Sequence, residues 1–405
     1  MKKTKITLLI PAMLDDHFDL LKYAFDSEYV HTVLLKNHSN ITNTGLEYAH
    51  NDLCYPGVLI IGQIINALRS ERFRRDENCV IMVAQAGDAC RGSNYIPLIR
   101  KALKKAAIDV PVISLNFLDM EDGARFGITP SMLMKALAAI MYGDELMLLR
   151  NQTAPYEKNK GDTDRLYKQW LRRLGAELKL GIGLNPLSMS LNFKRISDSF
   201  ADIERCKHRL PKIGVVGELY IKYCSLGNHD LGRYLESCGA EHMVNGFSWY
   251  VLYYIDTHLT EDGTVGAVMK AAYSAAKRTI ETVQKSMIKA VRTNGFASFD
   301  SFSGFKKRAE KYIPCTCPTG DGWLIGAELC NYAELGFEKA ACVQPFGCMP
   351  NHICGRGLYS SIQRRIRERG KKFTLVSVDY DPGIADVNIR NRLQLLFCNF
   401  PDRKQ

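Results

Sequence analysis

The sequence lacks the features of a membrane, fibrous or disordered protein. Its longest uncharged apolar stretch, residues 53–68, contains Pro56 and is shorter than the ~20 apolar residues of a membrane-spanning helix. Asp15 ends the first apolar segment too early for a secretory signal peptide. Hydrophobic residues make up 46% of the chain and charged residues 24%, which is typical of globular domains. We therefore expect a cytoplasmic protein without a membrane partner.

The common nucleotide-binding and hydrolase motifs are also missing. The sequence contains no G-x-x-x-x-G-K-[ST] P-loop, no G-x-S-x-G nucleophile elbow and no H-E-x-x-H. Two segments, Gly181-Ile182-Gly183 and Gly355-Arg356-Gly357, begin like a dinucleotide-binding loop but lack its third glycine. We therefore expect that the chain alone does not hydrolyse ATP.

Cysteine is too scarce for a disulfide scaffold. The 405 residues include 13 cysteines, about 3%, whereas small disulfide-rich proteins exceed ~8%. In a reducing compartment, cysteines are buried apolar residues, metal ligands or reactive thiols. We expect most of the 13 to belong to the first group.

Positive charge is in moderate excess. Lys and Arg number 54 and Asp and Glu 43, for a net charge of +11. Basic residues concentrate at 69–75 and 364–372, where we expect solvated helix surfaces; an acidic partner protein is the alternative. No recognised nucleic-acid-binding motif accompanies these segments, so we expect no nucleic-acid partner.

Short apolar strands alternate with helical patterns in two parts of the chain. This alternation predicts an α/β protein with two doubly wound lobes of Rossmann or flavodoxin type. We expect an N-terminal α/β lobe over residues 1–150, a helical linker over 151–210 and a C-terminal α/β lobe over 211–405. The predicted strands lie near residues 6–10, 31–35, 80–84, 110–115, 213–218, 340–345 and 373–379.

Three cysteines share a position just before a helical pattern. Cys54 precedes Pro56, which is suited to the first turn of a helix, whereas Cys90 and Cys348 each follow a predicted strand. Ligands collect at such junctions in open α/β sheets, and a helix N-terminus lowers the pKa of a thiol.

Several kinds of site are compatible with these cysteines. They could be three unrelated buried thiols, or one of them could be a catalytic nucleophile. Zinc usually takes closely spaced cysteine pairs, whereas an iron–sulfur cluster tolerates ligands dispersed in sequence. Three thiolates would leave one iron of a cubane open to another ligand.

Around these cysteines the sequence resembles the 2-hydroxyacyl-CoA dehydratase family and its double-cubane-cluster relatives. The resemblance is closest to the branch described as related to the dehydratase activator. The matching segments extend over nearly the whole chain: Asn51–Gly57, Ala86–Tyr95, Val216–Glu218, Gly322–Trp323, Gln344–His352 and Asp379–Gly383.

The resemblance implies a [4Fe–4S] cluster, or a double cubane, held between the lobes. Its ligands would be the cysteines that match the family, Cys54, Cys90 and Cys348. It also implies a separate ATP-dependent iron–sulfur activator that supplies low-potential electrons, and we expect a dimer. The chain would be a dehydratase-like lyase acting on an acyl-CoA, or a reductase of a small molecule. A non-catalytic electron carrier or cluster scaffold is the alternative, and a structural zinc protein is a third.

Other cysteines are weaker candidates. Cys315 and Cys317 lie in a Cys-Thr-Cys-Pro segment and are possible additional ligands, as is Cys354. If the first two bind iron, a larger double cluster becomes conceivable. We expect the others to be packing residues: Cys79, Cys206, Cys224, Cys238, Cys330, Cys342 and Cys398.

Two polar residues are candidate catalytic groups. His352 could protonate a substrate, bond to a cluster sulfide or cap its helix. Glu218 ends a predicted strand at the edge where sites form, and a helix cap is its simpler role. Arg91 could offset cluster charge beside Cys90. Asp379 and Asp381 end another strand, and we expect a structural role, orienting Arg390 or Arg392.

Overall fold

The computed structural model describes residues 5–36, 39–50, 53–73, 78–85, 90–115, 129–260 and 266–398. Its strands are β1 (Ile6–Pro11), β2 (Val30–Leu35), β3 (Cys79–Ala84), β4 (Val112–Leu115), β5 (Lys212–Gly217), β6 (Glu241–Val244), β7 (Lys339–Pro345) and β8 (Thr374–Tyr380). Its helices are α1 (Asp15–Phe25), α2 (Ile41–Tyr48), α3 (Tyr55–Arg69), α4 (Tyr95–Lys105), α5 (Pro130–Thr153), α6 (Asp162–Leu180), α7 (Pro186–Ala201), α8 (Leu219–Tyr223), α9 (Ser225–Asn228), α10 (Leu231–Ser237), α11 (Phe247–Thr260), α12 (Ala267–Thr293), α13 (Phe302–Ala309), α14 (Gly322–Glu334), α15 (Tyr359–Glu368) and α16 (Asp386–Gln394).

The strands form two parallel sheets with the same internal order. The first runs β2-β1-β3-β4 and the second β6-β5-β7-β8, with every neighbouring pair parallel. This confirms the predicted α/β fold with two doubly wound lobes. Parallel strands covered by helices on both faces are apolar along their whole length, and every residue of β7 is buried. The equal strand orders make β1, β2, β3 and β4 the counterparts of β5, β6, β7 and β8.

The strand that sequence reasoning missed is β6. It begins with Glu241 and His242, two polar residues that conceal its strand pattern, yet all of its four residues are buried. The Glu241 carboxylate accepts hydrogen bonds from Tyr156 Oη at 2.7 Å and from Lys212 Nζ at 3.1 Å. These partners satisfy the carboxylate, so the strand tolerates it inside the lobe.

Ser131 is a possible N-cap in the sequence, but helix α5 begins two residues earlier than that cap would place it. Thr129 is its N-cap, and the Thr129 Oγ1 accepts a hydrogen bond from the backbone N of Met132 at 3.2 Å. Pro130 then occupies the first helical position, where its missing N–H costs nothing. The helix therefore starts at Pro130 and runs to Thr153, past the predicted boundary at residue 150.

The segment between the sheets is helical, and it packs on helices from both lobes. Helix α5 contacts α1, α7, α11 and α12. Asp144 in α5 is buried; its Oδ1 lies 2.7 Å from Nε2 of His17 in α1. The same carboxylate accepts hydrogen bonds from the backbone N of Phe247 at 2.5 Å and of Ser248 at 3.0 Å, at the start of α11. One buried carboxyl group thus joins the two lobes.

Among the described residues, no helix is both long enough and apolar enough to span a bilayer.

Candidate functional site

Both sheets have a point where the strand order reverses, and the predicted site residues lie there. In an order of the type 2-1-3-4, the reversal is between the first and third strands, and ligands bind beyond their carboxyl ends. Cys90 follows β3, while Glu218 follows β5 and Cys348 follows β7. Three candidates from different parts of the chain therefore occupy equivalent edges of the two sheets.

Cys54 and Cys90 lie near each other around the side chain of Tyr95. Cys54 is the N-cap residue of α3, and its Sγ is 3.1 Å from Oη of Tyr95, the first residue of α4. Cys90 caps the 3₁₀ turn that precedes α4, where its Sγ accepts a hydrogen bond from the backbone N of Gly92 at 3.3 Å. The Tyr95 phenol interacts electrostatically with both thiols.

Cys348 reaches the same region from the second lobe. It is buried, and its thiol interacts electrostatically with Cys90 and Glu218. The neighbouring backbone is also close: a Cβ added to Gly320 would lie 2.6 Å from Cγ of Pro350 and 3.7 Å from Cβ of Cys90. The segments that carry Cys90 and Cys348 are therefore side by side.

The acidity of these thiols differs from the sequence-based expectation. Burial raises the pKa of Cys54, with smaller lowering contributions from Tyr95 and Arg91. Burial also raises the pKa of Cys348 strongly, and the nearby Glu218 raises it further. Desolvation therefore outweighs the lowering expected from a helix N-terminus. Without metal, Cys54 and Cys348 therefore hold their protons at neutral pH, and metal binding would release them.

Glu218 has the simpler of its two predicted roles in this structure. Its Oε1 accepts a hydrogen bond from the backbone N of Tyr220 at 3.1 Å, and its Oε2 from Ile221 at 2.9 Å, so it caps α8. Burial raises the pKa of this carboxyl group, while the two backbone bonds and Lys222 oppose the shift. Glu218 also interacts electrostatically with Cys54 and Cys348.

Asp321 is a site residue that sequence reasoning missed. It is buried as the N-cap residue of α14, the counterpart of α3, so it corresponds in the second lobe to Cys54 in the first. Its Oδ2 accepts a hydrogen bond of 3.4 Å from the backbone N of Leu219, and it interacts with the Cys348 thiol. Burial and the nearby Glu218 raise its pKa well above the ordinary value. The only sequence signal was its position before the Gly322–Trp323 segment.

Of the weaker cysteine candidates, two contact each other. The thiols of Cys317 and Cys354 form a hydrogen bond, which together with burial raises the pKa of Cys354 to about 12. Cys315 interacts instead with Cys330, and burial raises its pKa to about 12. The Cys-Thr-Cys segment thus directs its two thiols to different neighbours.

His352 lies on the surface, in the single π-helical turn Asn351–Gly355 that follows Cys348. Its backbone N donates a hydrogen bond to the Cys348 carbonyl at 3.0 Å. Helical structure therefore begins directly after Cys348. The exposed imidazole is open to a partner or substrate.

Asp379 and Asp381 are structural, as expected, but with other partners than Arg390 and Arg392. Asp379 accepts hydrogen bonds from Arg356 Nη2 at 2.7 Å and from Gln344 Nε2 at 2.5 Å. Asp381 Oδ1 accepts from the backbone N of Gly383 at 2.9 Å, which closes a turn. Of the two arginines that the sequence suggested as partners, Arg390 lies over the ring of Tyr234 instead.

The basic segment 364–372 forms the polar face of α15 and the following turn. Arg364 is exposed, and its Nε is 4.0 Å from the Glu368 carboxylate. Two others have partners within the lobe: Arg365 donates to the Tyr312 carbonyl, and Lys371 donates to Glu334 at 2.8 Å. Only part of the segment's charge is therefore directed to solvent.

The expected packing cysteines fall into two groups. Buried, as predicted, are Cys79, Cys224, Cys330 and Cys342. Cys206 and Cys398 are exposed and Cys238 is half-buried, so packing does not explain these three. They lie in connecting segments or at helix ends, where the sequence gives little information about burial.

The arrangement of the described thiols does not match a single metal ion. Among the described residues, no group of three or more His, Cys, Asp and Glu side chains could hold one ion. A cluster differs in this respect because its thiolates bind different iron atoms and stand farther apart. Residues 51–52 and 86–89, which belong to the segments matching the dehydratase family, lie outside the described residues.

Comparisons with protein-family models, with curated proteins and with solved structures found no match to this chain. The conclusions on function therefore depend on the residues themselves.

Proposed function

We propose that this chain is a cytoplasmic iron–sulfur protein similar to the 2-hydroxyacyl-CoA dehydratases. In this proposal Cys54, Cys90 and Cys348 hold a cluster of [4Fe–4S] type between the lobes. A separate ATP-dependent activator supplies the electrons, and the substrate is an acyl-CoA or another small molecule. When bound, the cluster would supply one-electron transfer and an open iron for a substrate oxygen.

The observation that carries the proposal is the position of Cys90 and Cys348 at the equivalent strand-order reversals of two sheets. A doubly wound lobe places its ligands at this edge. Two lobes that face each other there can enclose a group larger than a single ion. Cys54 extends the set because its thiol lies against Tyr95, which also interacts with Cys90.

The donor set is chemically suited to an iron–sulfur cluster. All 13 cysteines are free thiols, and the three candidates come from three separate segments. Of the two carboxyl groups beside them, Asp321 has a pKa that burial and the nearby Glu218 raise well above the ordinary value, so it favours the neutral acid. A neutral carboxyl group limits the negative charge that accumulates around bound thiolates.

The chain's own residues also provide proton-holding groups beside the thiols. Asp321 has the carboxyl group whose pKa is raised well above normal at this edge, while Glu218 is fixed by its two backbone hydrogen bonds. We expect Asp321 to hold the more mobile proton for a dehydration or reduction. His352, exposed on the adjoining turn, is the candidate for exchange with solvent.

The first test is purification of the full chain without air. We expect a brown, oxygen-sensitive protein with absorption near ~400 nm and iron and sulfide in equal amounts. A colourless protein that holds only zinc after anaerobic reconstitution would contradict the proposal. We also expect no ATP hydrolysis by the chain alone because it has no P-loop.

The second test compares each candidate ligand with a control cysteine on the strand that precedes it. Cys90→Ala and Cys348→Ala should each lose most of the iron. Cys79→Ala on β3 and Cys342→Ala on β7 should keep it because these buried thiols lie within the strands, before the site. Cys54→Ala should behave like the first pair. If Cys348→Ala keeps its iron, the ligand set is wrong.

The remaining variants distinguish the alternatives within the proposal. Iron loss in Cys315→Ala and Cys317→Ala would indicate a larger double cluster. Titration of the reconstituted protein with an acyl-CoA separates an enzyme from an electron carrier, since a carrier needs no substrate pocket. Binding that depends on the cluster supports the dehydratase, and its absence favours the carrier or a reductase of other molecules.

A further inference from the structure

A second candidate site lies between the lobes, on the opposite side of β1 and β5 from Cys54, Cys90 and Cys348. It is a cavity of about 360 Å³ at the carboxyl ends of β1 and β2, closed from the other lobe by β5 and β6. Helices α5 and α6 complete its walls. Small-molecule sites commonly measure about 300–1,000 Å³ and occur at such interfaces.

Two buried polar atoms in the cavity wall have no hydrogen-bond partner among the described residues. They are Oε1 of Gln63 and Nδ1 of His242, whose residues are 2% and 3% exposed. The orientation of the Gln63 amide is fixed because its Nε2 donates to the Leu35 carbonyl at 3.1 Å. Unsatisfied buried polar atoms are rare in folded proteins, so a pair of them lining one cavity indicates a missing partner.

The two atoms differ in the partner that each requires. Burial, reinforced by the charge of Arg150, lowers the pKa of His242 to about 3, so the ring is neutral at physiological pH. Nδ1 of His242 lies 3.8 Å from Oε1 of Glu236, a carboxylate oxygen that also pairs with Nη1 of Arg150 at 3.5 Å. A carboxylate oxygen only accepts, so we assign the ring proton to Nδ1, and Oε1 of Gln63 remains the unpartnered acceptor of the cavity wall.

Two adjacent carboxyl groups on the same wall lack a bonded cation. Asp15 Oδ2 accepts from the backbone N of Ser225 at 2.8 Å, and Asp16 Oδ1 from Tyr167 Oη at 2.6 Å. Neither forms an ion pair with a described residue within 4.0 Å. Burial raises the pKa of Asp15, and its neighbour Asp16 raises it further. A positive charge placed here would be stabilised by both groups.

The basic residues of the cavity are mostly occupied. Lys36 is paired with Asp19 at 2.7 Å, and Arg150 with Asp164 at 2.9 Å. The buried Lys222 is paired with Glu328 at 2.8 Å, outside the cavity. Lys168 and Arg233 are exposed residues at its margin. The lining has five acidic and five basic residues, and Lys36 and Arg150 interact at longer range with Asp15 and Asp16. Because the basic side chains are paired or lie at the margin, Asp15, Asp16 and the Gln63 oxygen give the inner wall an excess of hydrogen-bond acceptors.

We propose that this cavity binds a small organic cation with several N–H donors, such as an aliphatic diamine or a guanidine. A metal ion is less suitable because the described residues offer no cluster of three ligating side chains. The ammonium or guanidinium group would lie against Asp15 and Asp16 and donate to Oε1 of Gln63. The lining includes none of Cys54, Cys90 and Cys348, so this site is independent of the proposed cluster.

The test compares three four-carbon probes of different charge on the full-length protein. Putrescine carries two positive charges, 1,4-butanediol none and succinate two negative charges. Calorimetric titration and thermal unfolding should show binding of putrescine, and little or none of the other two. Asp15→Asn should weaken putrescine binding by about 10-fold to 100-fold, the effect of losing a charge-assisted hydrogen bond.

Two further variants keep the test decisive. Gln63→Leu keeps the size of the side chain and removes the unpartnered acceptor, so it should also weaken binding. Asp109→Asn, an exposed residue in another part of the first lobe, should leave binding unchanged. Stronger binding of succinate or butanediol than of putrescine would overturn the proposal. So would the absence of any binding by the folded protein, or equal binding by the Asp15 and Asp109 variants.

Discussion

Gly217, the last residue of β5, connects the second sheet to the candidate site. Its φ is +131°, in a region that residues with a Cβ rarely adopt. A Cβ at this position would lie 1.9 Å from the Val343 carbonyl oxygen on β7. The same oxygen accepts a hydrogen bond from the backbone N of Glu218 at 2.9 Å. We therefore predict that Gly217→Ala disturbs both the junction of β5 with β7 and the start of α8.

The expected cost has three parts. The backbone strain amounts to about 1–3 kcal/mol, and moving β5 away from β7 costs about 1–3 kcal/mol, as overpacking does. Weakening the Glu218 hydrogen bond adds about 0.5–1.5 kcal/mol. The sum, about 2.5–7.5 kcal/mol, is a large part of a typical free energy of unfolding of about 5–15 kcal/mol.

Gly161 provides a matched control for the strain. Its φ is +94°, yet no atom lies within 4 Å of a Cβ added there. Gly161→Ala should therefore cost only the strain, about 1–3 kcal/mol. Urea unfolding of both variants measures the difference, which we expect to be at least about 1.5 kcal/mol. Equal costs would refute the steric argument, because the close approach to Val343 is what distinguishes the two glycines.

Two other buried charged groups give testable changes in stability. Glu145 is fully buried, its Oε2 has no partner among the described residues, and burial raises its pKa well above 4.5. Stability from this group is present below pH 4.5 and is lost as the pH rises toward the folded pKa. The free energy of unfolding of Glu145→Gln should therefore match that of the natural protein near pH 4. At pH 8 it should be higher, by up to about 1.4 kcal/mol for each pH unit crossed. A difference in urea unfolding that stays constant across this range would contradict the raised pKa. Lys222→Met should cost about 3–5 kcal/mol because it leaves the Glu328 carboxyl group buried without its cation. Adding Glu328→Leu should recover most of that loss in the same measurement, and no recovery would show that Lys222 acts by packing alone.

The fold was predictable to the extent that burial leaves a periodic pattern. The apolar runs of β1, β3 and β7 and the long amphipathic pattern of α12 were located from the sequence to within a few residues. Strand β6 was missed because Glu241 and His242 are polar although buried. Their partners lie in other elements, and a single sequence does not reveal such long-range pairs.

The site was predictable in its positions but not in its acidity. Cys54 and Cys90 were placed at helix starts from local sequence alone, and the structure agrees. The raised pKa of Cys54 was not foreseen because desolvation depends on every element packed around the thiol. Asp321 was overlooked for a related reason. Its importance follows from the correspondence between α14 and α3, which only the equal strand orders reveal.

The two lobes use corresponding positions for different chemistry. After the third strand of each sheet the residue is cysteine, Cys90 in one lobe and Cys348 in the other. At the start of the helix before that strand, one lobe has Cys54 and the other has Asp321. An exact duplication would supply four thiols, whereas this chain supplies three thiols and a carboxyl group that favours its neutral form.

This asymmetry agrees with a site that leaves one position exchangeable. Three thiols fix a bound group firmly, while a neutral carboxyl group binds metal weakly and can instead hold a proton for a substrate. The two lobes must also remain docked for the three thiols to act together, and the buried Asp144 carboxylate that bonds His17 and the start of α11 serves that purpose. In the proposal, loading of the site and docking of the lobes would therefore be coupled, because a ligand that bridges the lobes would stabilise their closed arrangement.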